Sequence, residues 1–470
     1  MLAGSALEER RGPARQGDPE VLSQISILGA KSENRVSEIQ WLTDSKPLDK
    51  ANLRQNPLGC WNGGSCNAPG AMAPWSDIPP KSSIAEAYGN WPMLSCGDGG
   101  GHDSLMIERG CPDHITRRGF LLMPMVLSGV ALPTDTLQGR AARRGIMYGG
   151  AVSSHHLQDR ACQAAVLHEM KILVPENEFK WEALRPSPTT YDFAKADALL
   201  HFARVHSKHI RGHCLAWHKQ LPQWFGSVVH AGNASHMLTD HITTVVRRYA
   251  GQMHSWDVVN EQVETWEANV DGIRVTPWLT RLGYDYMDLA FRTAHAADPQ
   301  AMLVYNDYAL ELNADWHAAR RQRMLRLLQD FKSTGTPVHA LGIQSHITPD
   351  GVFDPAIFTT FLDHVAAMGY AIIISEMDVV DKPFPADITR RDAIVADVYR
   401  RFWTTALAHP AVKIALTWGL TDKYTWLNTV DFARRADGLP VRSLPLDDQY
   451  HKKPAYDVLL NAFATAPMKT

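Results

Sequence analysis

From about residue 145 onward the chain repeats one unit eight times: an apolar, β-prone run whose C-terminal end turns polar, then an amphipathic stretch at helical spacing. The runs cover 145–152, 172–178, 209–217, 253–261, 301–308, 339–346, 370–379 and 412–420, with helical stretches such as 161–171, 316–332, 357–368 and 388–407 between them. Apolar strands separated by helices are what a parallel sheet covered on both faces requires. Eight such units in about 315 residues predict an α/β fold closed as a (β/α)8 TIM barrel, a single catalytic domain. The competing architecture, an open doubly wound sheet, ordinarily carries a Gly-rich phosphate turn after its first strand, and Gly149-Gly150 is not one.

In a parallel barrel the strand tips at the C-terminal face form the active site. The second run ends in Glu176-Asn177-Glu178-Phe179-Lys180-Trp181, the third in His213-Cys214-Leu215-Ala216-Trp217-His218, and the fourth in Asn260-Glu261. The fifth supplies Asn306-Asp307-Tyr308, the sixth Gln344-Ser345-His346, the seventh Glu376 and Asp378, and the eighth Trp418 followed by Trp426. One polar strand end is commonplace, but seven in register predict a concave rim of amides, charges and aromatic plates, which suits a carbohydrate. The 14 Trp fit that reading, although about half are assigned to ordinary core packing. A net charge of -3 and no run of five like charges leave no footprint for nucleic acid or anionic lipid, so the expected partner is neutral.

Glycoside hydrolysis needs a carboxyl that protonates the leaving oxygen and a second that attacks or activates water. Glu261 and Glu376 end strands four and seven, which face each other across an eight-stranded barrel. Two such charges at about 5 Å repel by roughly 3 kcal/mol at an effective dielectric near 20, which predicts that one stays protonated near neutral pH. A metal site is the rival chemistry, since His213, His218, His346, Glu261, Glu376 and Asp378 are ligand types. No HxH or HExxH supports it, and no GxSxG elbow supports serine chemistry.

Taken in order, these strand-end segments, with Gly212-His213-Cys214-Leu215-Ala216-Trp217-His218, Trp256-Asp257-Val258-Val259-Asn260-Glu261, Ile374-Ser375-Glu376-Met377-Asp378 and the stretch from Thr417 to Trp426 prominent among them, resemble the signature segments of glycoside hydrolase family 10 endo-1,4-β-xylanases. The resemblance spans residues 145–463. It implies a retaining double displacement on xylan and xylo-oligosaccharides, with Glu261 as acid/base and Glu376 as nucleophile. It further implies that Asn260 binds the 2-hydroxyl at the cleavage point and that His346 with Asp378 orients the nucleophile. Glu176, Asn177, Lys180, His213, Trp217, Gln344, Trp418 and Trp426 are implied as non-reducing-side subsites, and Tyr308 as a further substrate contact. No metal or organic cofactor is implied, and a monomer is expected. Cys214 and Phe179 stand where the family usually has Thr and Met. The same fold acting on another β-1,4-glycan, or as a catalytically silent carbohydrate-binding barrel, is the alternative.

Residues 1–105 show no sustained period and are broken by turn formers such as Gly97-Asp98-Gly99-Gly100-Gly101, which predicts a disordered or spurious upstream extension. A small module around Trp61, Trp75 and Trp91 is the alternative there. Thr116-Arg117-Arg118-Gly119-Phe120-Leu121-Leu122, an apolar run to Leu132 and the small residues Gly129-Val130-Ala131 have the form of a twin-arginine-like export signal, too short to span a bilayer. The expectation is therefore translation from near Met106, a signal segment over 106–133, a catalytic domain over 134–470, and an exported, periplasmic or extracellular product with no membrane attachment in its mature form. A buried helix or membrane anchor is the other reading of that segment. Of six cysteines only Cys162 and Cys214 fall in the folded part, and both are expected to be free.

Overall fold

In the computed structural model the described residues are 135–469, apart from 268, 349 and 350. The extension, the Trp-bearing module and the export segment expected from the sequence lie outside them. Eight strands form the barrel: β1 (Met147–Val152), β2 (Ile172–Pro175), β3 (His209–Ala216), β4 (Ser255–Asn260), β5 (Met302–Asp307), β6 (Ala340–Ile343), β7 (Ala371–Val379) and β8 (Val412–Thr417). Each pairs in parallel with the next, and β8 returns to β1, so the sheet closes with no free edge.

Six of the eight strands end earlier than the apolar runs suggested, whereas β1 and β7 end as expected, at Val152 and Val379. β2 stops at Pro175 and β6 at Ile343, each just before polar residues the sequence analysis counted as strand, and β8 stops at Thr417, just before Trp418. Those residues leave the ladder and become the rim loops, where their side chains reach the barrel mouth. Helices cover the outside: α1 (Leu137–Ala142), α2 (Arg160–Glu169), α3 (Ala194–Val205), α4 (Ala234–Arg248), α5 (Tyr286–Ala297), α6 (Asp315–Thr334), α7 (Pro355–Ala367), α8 (Ile388–Ala408) and α9 (Pro454–Thr465). Their starts follow from side chains that accept from the unpaired N–H groups of the first turn. Asp159 caps α2, Asp387 caps α8, and Asp354, followed by Pro355 at the first helical position, caps α7.

Alternation along the strands sorts side chains into two layers. One set, including Ala151, Ile172, Val174, Val304, Ala340, Ile373, Ile414 and Leu416, fills the barrel axis beneath Trp418. The other packs under the helices: Trp256 of β4 lies against Phe179 and against Tyr249 at the end of α4. Between Trp256 and Val258, Asp257 turns inward and meets Arg211 and His213 of β3, placing a buried ion pair below the rim. Cys162 and Cys214 are buried and free. Among the described residues no helix is long and apolar enough to cross a membrane.

Candidate active site

A cavity of about 600 Å³ opens at the C-terminal mouth of the barrel. Its wall contains Glu176, Asn177, Lys180, His213, Trp217, Glu261, Tyr308, Gln344, His346, Glu376, Trp418 and Trp426, twelve of the fourteen residues expected to form the site. The other two stand behind it. Asp378 is fully buried, and both its oxygens are occupied, by His346 Nδ1 at 2.8 Å and by Trp426 Nε1 at 2.8 Å. Asn260, also buried, accepts from Asn306 at 2.9 Å and from Gln344 at 3.3 Å, and its amide lies 3.3 Å from Glu261 Oε1.

Local backbone geometry aims the two glutamates. Asn260 and Asn306 are register partners on β4 and β5, so both point inward at one level of the barrel. In a regular strand Glu261 would then face outward. It instead adopts the left-handed conformation, φ 59°, and so faces the mouth together with Asn260. That conformation is unfavourable for a glutamate and is held by its surroundings: Glu261 N–H donates to Asn306 O at 2.9 Å, and Arg274 Nε donates to Glu261 O at 3.2 Å. On β7 a register shift between Ile374 and Met377 turns the adjacent Ser375 and Glu376 toward Asn306. Ser375 donates to Asn306 Oδ1 at 2.7 Å, and Asn306 Nδ2 donates to Glu376 Oε1 at 2.7 Å. Asn306 is thus the hub that ties one carboxylate to the amide beside the other.

The electrostatics differ on the two sides. His346 donates from Nε2 to Glu376 Oε2 at 3.0 Å and from Nδ1 to Asp378. Burial works against a charged ring, yet the two carboxylates outweigh it and push His346 up to about 10, so it is an imidazolium at neutral pH. Burial by itself would raise Glu376, but the His346 hydrogen bond, the charges of His213 and His346 and the Asn306 amide hold it below the usual carboxylate range. Glu261 also sits below its usual range. Burial again opposes this, while Lys219, His218 and Gln344 favour the charged form. His218 is itself pulled down to about 4 by burial, so at neutral pH it is uncharged and Lys219 is the cation that remains. Lys219 Nζ lies 4.0 Å from Glu261 Oε2 with a side chain 62% exposed, so water screens its pull.

This corrects one expectation. Mutual repulsion was predicted to hold one glutamate protonated near neutral pH, but each carboxylate has its own cation, and in the open cleft both are held down.

On one side of the pair, Lys180 Nζ lies 5.0 Å above the Trp217 ring and donates to Gln220 at 2.7 Å and Asn177 at 3.1 Å. His213 packs edge-on against Trp418 at 5.2 Å and is oriented by Asp257 at 2.9 Å. Burial raises Glu176 in the same wall, partly offset by Lys180. Sequence reasoning missed Asn306 as the hub and Lys219, Gln220 and Trp316 as wall residues. Strand periodicity could have found Asn306, which occupies the position on β5 that Asn260 occupies on β4. The others lie in loops or at a helix start, where no period applies. Among the described residues no group of three or more His, Cys, Asp and Glu is placed to hold a metal ion.

The family model described as Glycosyl hydrolase family 10 matches residues 136–462. The chain is 33% identical over 292 residues to an endo-1,4-beta-xylanase B of Thermotoga neapolitana, covering 61% of this chain and 79% of that one. It is 32% identical over 293 residues to a beta-1,4-xylanase of Dictyoglomus thermophilum, covering 59% and 78%. Among solved structures, xylanase 10B of Thermotoga petrophila RKU-1 in complex with xylobiose superposes with a TM-score of 0.62 at 30% identity, covering 70% of this chain and 97% of that one.

Proposed function

The chain belongs to glycosyl hydrolase family 10, and on that premise we propose that it is a retaining endo-1,4-β-xylanase in which Glu376 is the nucleophile and Glu261 the acid/base. The observation that carries the assignment is the asymmetry between the two carboxylates. Glu376 is pinned at both oxygens by donors, Asn306 and the His346 imidazolium, which keeps it ionised and aimed. Glu261 faces a distant, screened cation and the neutral amides of Gln344 at 3.1 Å and Asn260 at 3.3 Å, with no imidazolium bonded to it. Sugar filling the cleft would exclude water around Glu261 and raise its proton affinity, so the proton needed by the leaving oxygen is taken up as substrate binds.

In the first step Glu376 attacks the anomeric carbon while Glu261 protonates the departing oxygen, leaving a glycosyl-enzyme ester. In the second, Glu261 removes a proton from water, which attacks the same carbon and releases Glu376. Lys180, Trp217, Trp418 and Trp426 would hold the sugar on the non-reducing side. Asn260 would meet the 2-hydroxyl at the cleavage point, and Asp378 would act through His346. The relatives named for xylan hydrolysis and the xylobiose complex of a similar structure support xylo-oligosaccharides as ligands.

The test is reducing-sugar release from beechwood xylan and from carboxymethyl-cellulose by the full chain and by its Glu376→Ala variant. Release from xylan alone, abolished by the substitution, is the expected result. Release from cellulose instead would move the reading to another β-1,4-glycan. A polymeric substrate that lies outside the cell also supports export through the segment over 106–133, with 134–470 as the catalytic domain. Mass spectrometry of the protein recovered from its native host should find a mature N-terminus near residue 132, and one well before residue 125 would overturn that part.

A further inference from the structure

The excursion of the chain between β8 and α9 supplies Trp426, Thr429, Val430 and Phe432 to the wall of the main cleft. From Thr429 to Ser443 it forms no helix or strand, so no ladder of backbone bonds holds it in shape. Two other features do. The first is a small apolar cluster separate from the barrel core, formed by Val380, Leu427, Ala433 and Val441, on which Trp426 and Val430 rest.

The second is a buried ion network centred on Asp381. This residue lies two positions past the end of β7 and is fully buried. Its Oδ2 accepts from Arg442 N–H at 2.9 Å and lies 3.6 Å from Arg391 Nε, while its Oδ1 lies 3.8 Å from Arg435 Nη1. Arg435, itself buried, also donates to the backbone carbonyls of Asp381 and, at 2.9 Å, of Phe384. Arg442 in turn forks onto Asp392 of α8 at 2.8 and 2.7 Å. Three separate pieces of chain therefore meet at one carboxylate: the continuation of β7, the start of α8 and the excursion.

The two arginines grip a closed loop. Val441 N–H donates to Asn428 Oδ1 at 2.8 Å, so the chain from 428 to 441 returns on itself, with Arg435 inside the loop and Arg442 just past its end. Lys382 Nζ adds a bond to Phe432 O at 3.1 Å. A buried ion network is a poor source of stability compared with apolar residues of the same volume, but its directional bonds admit one placement of the loop. That placement sets the wall. Asp378 fixes one edge of the Trp426 indole through Nε1, and the rest of the ring is held by the cluster below it and by Phe432, edge-on at 5.7 Å.

We propose that Asp381 is a positioning residue for substrate binding on the non-reducing side: with Arg435 and Arg442 it holds the loop from Asn428 to Val441, and through that loop it sets Trp426 and Phe432 in the cleft wall. The inference rests on the xylanase reading above, in which Trp426 holds sugar. It adds a residue that touches neither the sugar nor either glutamate.

The test compares the full chain with Asp381→Asn, Arg435→Met and the double variant on an aryl xylobioside, whose two sugars both lie on the non-reducing side. Asp381→Asn keeps the side-chain volume and an acceptor for Arg442 N–H while removing the carboxylate. If the loop shifts by enough to loosen one aromatic stack, KM should rise roughly 3- to 10-fold in each single variant, with kcat within about twofold of wild type. The acidic limb of kcat/KM, which belongs to Glu376 and His346, should stay in place. In the double variant KM should rise no further than in the worse single variant, because both residues act through one contact. Arg435→Met carries the KM test by itself if Asp381→Asn does not fold. A merely structural role would lower the active fraction, and with it kcat, at unchanged KM. That result, or KM effects that multiply in the double variant, would overturn the proposal. Wild-type inactivity on the aryl xylobioside would instead remove the xylanase reading on which it stands, so the wild-type control tells the two failures apart.

Discussion

At His346 two carboxylates meet one imidazole, and the nucleophile's charge depends on that meeting. Replacing the ring by Gln leaves Glu376 buried with its Asn306 bond but without a neighbouring imidazolium, so its proton affinity rises. Because Glu376 must be ionised to attack, the acidic limb of kcat/KM should move to higher pH in His346→Gln, and a pH-rate profile on an aryl xylobioside checks it. Stability follows the same linkage. His346 is raised above its unfolded value near 6.5, so its contribution is complete below that value and disappears as pH rises through about 10. The difference in Tm between wild type and His346→Gln should therefore shrink across that upper range. Lys219 acts on the other limb. Lys219→Met removes the remaining cation beside Glu261, raises that carboxyl's proton affinity, and should move the basic limb of kcat/KM upward while leaving the acidic limb in place. If Glu261 is the acid, Glu261→Ala should cost roughly two to four decades on xylan, least on activated aryl glycosides, with partial rescue by azide.

Elements set how these residues are aimed. Asn306 can serve as hub only because β6 presents Gly342 beside it: a Cβ there would collide with Asn306 Oδ1. Gly342→Ala should therefore displace the amide that holds Glu376, lowering kcat more than it changes KM for xylohexaose. Helix caps are the contrasting case, since they support the scaffold without touching the mouth. Asp354 accepts from Ala356 N at 2.9 Å and Ile357 N at 3.2 Å, and Asp354→Ala should cost about 1 kcal/mol in a denaturant titration with kcat unaltered. The eight barrel strands and the long helices were legible at this scale, because apolar β-prone runs and helical spacing are local properties. The strand ends were not. An apolar run continues in sequence through Trp418, for example, but the ladder ends at Thr417, because Gly419 at φ 114° turns the chain away although β7 and β1 each run two residues further.

For the whole molecule, closure of the barrel turns eight separated tips into one cleft. The sequence by itself determined the βα rhythm, the barrel, the ring of polar strand ends and the two glutamates, since each is written in a contiguous stretch of residues. Tertiary structure decided what those residues do to one another. Asp378 belongs behind His346 and away from the sugar because β7 carries it inward onto a ring supplied from the end of β6. Gln220 reaches Lys180 across 40 positions of chain, and Asn306 reaches Glu376 across 70. The proton balance of the pair was likewise out of reach. Charge repulsion between two glutamates can be anticipated from residue types, but the imidazolium that answers one and the lysine that answers the other are set by distances of 3.0 and 4.0 Å between loops and strands far apart in sequence. Coulomb energies depend on those separations and on the water between the charges, and only the folded chain fixes either.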